Sequence, residues 1–413
     1  MGYAMQRFPL GKALSTSIII WGAMVMLLGA CNNYWQLSVV RVLLGWFESV
    51  VTPGFALITA SWYLRREQTL RQCMYYTMSA PPSNSADADT VFAIIFGIAN
   101  YKLAERQQRN GGLAPWRVIN LFLGGLTVGM GFVCMVFLGT PKEVWWLSRR
   151  EKRMAHARIV SNGTGGGEHH PWRWAQVREC FRDPQFYMAL LANILCTIPN
   201  GAVTTFNTLL MRSFGYGPLD SLIWMFPSYA VGSGYILIAS VVVYYWPRAR
   251  FPVCLVVQCM AIFVFLFVGL AGKNPAISDH ARFIVFCWIG VFTTPMFLVW
   301  PLMSANVAGR TKKTFFAACQ LVSFCVGNII GSQVMRPSDA PLYLTGLTAI
   351  AICMAVNLLN FSAWWWYYTW ANRKREAAFL ASGVSEDQKE LENRVAGETD
   401  LTDRENIHFR YMA

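Results

Sequence analysis

Apolar runs of about twenty residues recur along the chain, and that is the length an α-helix needs to cross the hydrocarbon core of a bilayer. By that ruler ten segments read as spanning helices: residues 12–30, 35–63, 71–103 (interrupted), 116–138, 184–212, 219–246, 252–271, 281–306, 313–335 and 343–371. Composition agrees. Of the 413 residues, 55% are hydrophobic and 14% charged, against about 25% charged in an ordinary soluble domain. The fold class that follows is all-α, a polytopic membrane protein.

The formal charge is +13, from 35 Lys and Arg against 22 Asp and Glu. In a soluble chain such an excess suggests nucleic acid, but nothing here resembles a base-reading or phosphate-reading module, and no nucleic-acid partner is expected. The cations gather in short segments between apolar runs: "RREQTLR" (65–71), "RREKR" (149–153), "PRAR" (247–250), "GRTKK" (309–313) and "NRKR" (372–375). These fall on alternate loops, which puts those loops, the central linker and both termini on the cytoplasmic side. The opposite loops "CNNYWQ", "SFGYGPLD" and "RPSDAP" are nearly free of cations, and "YKLAERQQRNGG" (101–112) runs against the pattern. Eleven cysteines lie mostly inside apolar runs, with no CxxC pair and no metal-ligand spacing, and read as small buried hydrophobes. No cleavable signal peptide is legible after Met1, so insertion is expected to rely on the first spanning helix.

A polar, glycine-rich stretch over 139–183 separates four helices from six. The expected organisation is therefore an N-terminal transmembrane half over 1–138, a cytoplasmic central loop over 139–183, a six-helix C-terminal half over 184–371 and a cytoplasmic tail over 372–413. Many transporters pair two six-helix halves, and the first half here is two helices short. With Met1 in what reads as a basic cytoplasmic loop, the expectation is that two preceding helices are missing from this sequence. In the third segment, "APPSNSADADT" puts two prolines and two aspartates into an apolar run. Each charge exposed to lipid costs about 2.5–3.5 kcal/mol, so residues 80–90 read as an insertion or retained intron, with a re-entrant loop as the functional alternative.

Several stretches, in order, resemble the allantoate permease branch of the fungal anion:cation symporters within the major facilitator superfamily. They are "GYAMQRFPLGK" (2–12), "RVLLGWFESVVTPGFALITASWYLRREQTLR" (41–71), "IPNGAVTTF" (198–206), "SANVAGRTKKT" (304–314), "GNIIGSQV" (327–334) and "DLTDRENIHFRYM" (400–412). The resemblance implies a major facilitator fold with about ten of its usual twelve helices, two pseudo-symmetric halves around a central cavity, and uptake of a small organic anion with protons. The chain departs from the pattern at Gln6-Arg7, where the general superfamily signature carries an Asp.

Within the apolar segment 35–63, Arg41 and Glu48 are one heptad apart, on one helical face and about 10 Å apart along the axis. An intramembrane ionisable residue is a functional hypothesis by default. Arginine keeps its charge and offers a planar fork to a carboxylate, so Arg41 is the expected anion-binding group. Burial raises a carboxyl pKa and a nearby cation lowers it, so an anion that screens Arg41 would favour protonation of Glu48, the expected proton-coupling group. One proton driven by 100 mV contributes about 2.3 kcal/mol. A monoanion with one proton moves no net charge, so accumulation driven by the potential would need a second proton. The structural alternative is that Arg41 snorkels to an interface and Glu48 pairs with a neighbouring helix. Pro53 follows and is expected to kink the helix.

In the second half Asn193, Asn200 and Asn207 recur at heptad spacing beside Pro199 and Gly201. Asn193, Asn200, Asn306 and Asn328 are expected to bind substrate, with interhelical hydrogen bonding as the alternative. Gly327 and Gly331 stand in GxxxG spacing around Asn328, which suggests close helix approach. "WWWYY" (364–368) reads as an interfacial aromatic belt. "GSG" (232–234) lacks the strand and Lys-Ser/Thr of a phosphate loop. No cofactor and no metal site is implied, and no enzyme: membrane-depth clusters of His, Asp or Glu are missing. From 376 the tail is charged and reads as partly helical or disordered, with a regulatory role open. The expected function is secondary active, proton-coupled uptake of a carboxylate such as allantoate, nicotinate or pantothenate by alternating access, as a monomer in the plasma membrane. The alternatives are a truncated non-transporting product or sensor, or an exporter of an organic acid.

Overall fold

In a computed structural model of the chain, the described residues are 8–64, 114–160, 172–213, 226–271, 277–339, 342–382 and 401–412 except Ile407, with scattered residues between. The third expected helix, 71–103, and the insertion at 80–90 lie outside the described residues. Every regular element among those described is helical, and seven are long and apolar enough to cross a membrane. The chain divides into two compact units, Met1–Leu64 with Ile95–Asn162 and Arg65–Ile94 with Gly163–Ala413.

The first unit contains α1 (Leu10–Leu28), α2 (Tyr34–Glu48), α3 (Val51–Trp62), α4 (Pro115–Phe137) and α5 (Arg149–Val160). α1 lies along α4. The N-terminus of α1 carries unpaired backbone donors and the positive end of the helix dipole. The Glu143 carboxylate meets both needs, accepting from Leu10 N at 2.8 Å and Gly11 N at 2.9 Å. The helix expected over 35–63 is two helices, interrupted between Glu48 and Val51. Pro53 has no N–H for the Ser49 carbonyl, which is the partner a continuous helix would require. At the far end of α3, Trp62 donates Nε1–H to the Gly139 carbonyl at 2.9 Å and stacks on Trp146, ring centroids 5.6 Å apart. Residues 139–183, read as a single loop, contain two helices that fall in different units: α5 and, in the second, α6 (Trp174–Arg182).

The second unit continues with α7 (Pro184–Ser213), α8 (Phe226–Tyr245), α9 (Arg250–Ala271), α10 (Asp279–Phe286), α11 (Thr294–Asn306), α12 (Arg310–Val334) and α13 (Leu344–Ser382). α7 packs along α12 and α9 along α13. The span expected over 281–306 is broken by a 3₁₀ turn, Ile289–Thr293, between α10 and α11. α13 has 39 residues and is about 58 Å long at the helical rise, nearly twice the thickness of a hydrocarbon core. Its last turns therefore leave the apolar zone and carry "NRKREAAFLAS" beyond it. Two apolar cores fill this unit. One, centred on Phe186, Phe251, Phe361, Trp364 and Tyr368, also takes in Phe409 and Tyr411 from the end of the chain.

Candidate functional site

Arg41 and Glu48 both lie on α2, a helix with no buried residue. Both side chains are exposed, and neither has a hydrogen-bond or ion-pair partner among the described residues. A cation and an acid that share one face and do not neutralise each other are available to a ligand and to a proton. Pro53 is the third residue of α3, in its first turn and just past the break.

In the second unit, the α7–α12 crossing brings two of the predicted asparagines together. Asn200 donates Nδ2–H to Asn328 Oδ1 at 2.9 Å, and Asn328 donates to the Phe324 carbonyl at 2.9 Å. The crossing is tight because Gly201, Gly327 and Gly331 face the opposite backbone. A Cβ at Gly331 would collide with the Ile198 carbonyl, and one at Gly327 with Thr197 and the Ile194 carbonyl. Glycine here permits helix axes to approach as no other residue could. The Asn207 side chain lies outside the described residues.

The other two asparagines are committed to the fold. Asn193 is buried, donates to the Gln320 carbonyl at 2.6 Å and Ser323 Oγ at 2.8 Å, and accepts from Trp300 Nε1 at 3.2 Å. Asn306, fully buried, donates to the Met412 carbonyl at 3.0 Å and accepts from Met412 N at 2.9 Å. Both amide groups of Asn306 are thus used by the backbone of the chain terminus. In this structure Asn193 and Asn306 are buried and make hydrogen bonds within the fold, the alternative read from the sequence, each amide being matched by two or three partners.

Sequence reasoning missed the most polar site of this unit. Lys312, in the first turn of α12, is completely buried. Its ammonium donates to Asp403 Oδ1 at 2.7 Å, Asp183 Oδ2 at 2.9 Å and Glu179 Oε1 at 2.9 Å. Local rules put each acid there. Asp183 precedes Pro184, the first residue of α7, and caps that helix by accepting from Gln185 N at 3.2 Å, the expected arrangement of Asp followed by Pro at a helix start. Gln185 donates to Asp183 Oδ2 at 2.6 Å and Asp403 Oδ2 at 3.0 Å, and Tyr368 donates to Gln185 Oε1 at 3.0 Å. Thr402 Oγ1 donates to Glu179 Oε2 at 2.9 Å, while Thr402 N and Glu405 N exchange side-chain bonds as a capping box does.

Tyr411 closes the cluster by donating to Asp403 Oδ2 at 2.8 Å. Burial, with the adjacent Asp403 carboxylate, pushes the Tyr411 hydroxyl above its ordinary range, so it remains the donor. The opposite charges did stand in the sequence, as "RECFRD", "GRTKK" and "DLTDRE". Each also read as a solvated basic or acidic loop, and nothing in their separation, more than a hundred residues for the first pair, marked them as partners.

Comparison with known proteins agrees with this architecture. A family model described as Major Facilitator Superfamily matches residues 1–332. The uncharacterized transporter C417.10 of Schizosaccharomyces pombe is 30% identical over 409 residues, covering 98% of this chain and 75% of the relative. The allantoate permease of Saccharomyces cerevisiae is 28% identical over 411 residues, covering 97% and 72%. Among solved structures, the fucose:proton symporter of E. coli superposes with a TM-score of 0.57 at 12% identity, covering 87% of this chain and 85% of that one. That likeness concerns the fold.

Proposed function

The chain belongs to the major facilitator superfamily, an integral multi-pass membrane transporter of small molecules rather than an enzyme, and on that premise we propose that it imports a small organic anion together with protons. Alternating access at the plasma membrane, with both termini in the cytoplasm, completes the proposal. The observation that carries it is the pair on α2, exposed and with no ion-pair or hydrogen-bond partner among the described residues. Arg41 offers a permanent cation for a carboxylate, and Glu48 offers a titratable group on the same face. The likeness to the allantoate permease of Saccharomyces cerevisiae, along most of this chain, supports a carboxylate substrate. Asn200 and Asn328 are the proposed neutral contacts in the second unit, since they pair with each other and could exchange that bond for a ligand.

Uptake measurements test this directly. A yeast host deficient in organic-anion uptake, expressing this chain, is offered labelled allantoate, nicotinate, pantothenate and the matching amides at acidic and neutral pH. Uptake of at least one acid, faster at acidic pH and collapsed by a protonophore, is the expected result. Equal uptake of an acid and its amide would remove the role of Arg41.

A further inference from the structure

The end of the chain behaves as a ligand. Residues 401–406 and 408–412 lie at one end of the second unit in turns and irregular backbone and are held by five elements. α6 contributes Glu179 to Thr402. The start of α7 contributes Gln185 to Asp403. The end of α11 contributes both amide groups of Asn306 to the backbone of Met412. The start of α12 contributes Lys312 to Asp403. The extension of α13 contributes Asn372, which exchanges two hydrogen bonds with the backbone of Tyr411, and Arg375, which donates to the carbonyls of Phe409 at 2.7 Å and Asp403 at 2.8 Å.

Three side chains anchor the segment in the manner of a bound peptide. Asp403 is fully buried against Lys312. Phe409 and Tyr411 are 2% and 5% exposed. The Tyr411 ring stacks on Tyr368, with centroids 4.7 Å apart, beneath the Arg375 guanidinium at 4.6 Å. Between the anchors, Arg410 pairs with Glu376 at the surface. This is a combination of a desolvated charge pair, aromatic anchors and main-chain recognition, the usual composition of an energetic centre in an interface. Gly309 belongs to the same site. It adopts φ +87, and a Cβ there would press on Gln176 Oε1 and Thr402 Cγ2, both at 3.1 Å.

We infer that residues 401–412 are a peptide ligand carried by the chain itself, seated in a groove of the second unit that recognises an acid, two aromatic rings and the main chain of a turned segment, and that the segment stays seated instead of serving as a releasable gate. Release would uncover the Phe409 and Tyr411 rings and leave Lys312 buried beside two acids instead of three, without the network that now satisfies it. The groove thereby joins the ends of α6, α7, α11, α12 and α13.

The test uses the full chain, purified in detergent, with a protease recognition sequence inserted between Gly397 and Glu398. After cleavage, the C-terminal fragment is expected to co-elute with the body on gel filtration, and Tyr411→Ala or Lys312→Met in the cleaved protein is expected to release it. A fragment that separates from a body whose elution is otherwise unchanged would overturn the inference. Hydrogen exchange on the unaltered chain supplies a measurement that needs no insertion or substitution. The amides of Asn406, Tyr411 and Met412, which donate to Thr402 O, Asn372 and Asn306, should exchange at least about 100-fold more slowly than in the free peptide. Exchange at the free-peptide rate would show a segment in constant release.

Discussion

Lys312 illustrates what a single side chain can impose on this protein. One ammonium inside the fold faces Glu179, Asp183 and Asp403, all within 2.9 Å. Taking such groups out of water is costly, and the balance is kept by the additional donors from Gln185, Thr402 and Tyr411. Removing the cation leaves three acids with no counter-charge. Lys312→Met should therefore lower stability by about 3–5 kcal/mol, read as a fall in the thermal midpoint of the purified protein. Asp403→Asn, which keeps the shape and part of the hydrogen bonding, should cost less.

Cys180 sits against the same cluster. Burial pushes its thiol up to about 12, and the nearby Lys312 offsets this only in part. In a protein reduced to this one cysteine, a maleimide at neutral pH should leave Cys180 unlabelled until the protein is denatured. Because the folded value lies above the unfolded one, the associated stability is complete below about 9 and is lost as pH rises toward the folded value. Rapid labelling of the native protein would contradict the packing described for α6.

At the level of elements, α12 is governed by its contacts at both ends. Its start follows Gly309, whose positive φ sets the turn out of α11, and its middle presses Gly327 and Gly331 on the α7 backbone. Gly331→Leu has no space to enter, so the helices must separate. Overpacking of this kind costs about 1–3 kcal/mol and should also break the Asn200–Asn328 hydrogen bond. A lowered thermal midpoint without loss of helical circular dichroism would report that separation. An unchanged midpoint would mean that the crossing is looser than the geometry states. The GxxxG spacing was legible in the sequence, since small residues four apart share a helix face. The extension of α13 was less so: "NRKREAAFLAS" carries a charge run that reads as a loop, and it stays helical because Asn372, Arg375 and Glu376 find partners in residues 403–411.

Transport belongs to the whole molecule, and its predictions rest on the proposed function. Glu48→Gln mimics a permanently protonated acid and should abolish the pH dependence of uptake. Arg41→Ala should raise the half-saturation concentration for the anion at least about tenfold, equivalent to 1.4 kcal/mol. Arg41→Lys should restore part of it, because a point charge replaces a planar fork. If Glu48→Gln retains the full pH response, proton coupling resides elsewhere.

By itself, the sequence determined that this chain lives in a bilayer, because apolar runs of spanning length leave no other stable place for it. Its ordered motifs also marked the superfamily to which the family model and the relatives assign it. Local chemistry in the sequence similarly announced the close glycine contacts at Gly327 and Gly331. Tertiary structure alone decided which partner each polar group met. Asn306 and Asn328 look alike in sequence, yet one is consumed by the backbone of Met412 and the other faces Asn200. The reason is physical: a hydrogen bond forms between groups that folding brings within 3 Å, and Lys312 and Asp403 are 91 residues apart. Helical periodicity reports the face on which a residue lies, but not the distant segment that will meet it there.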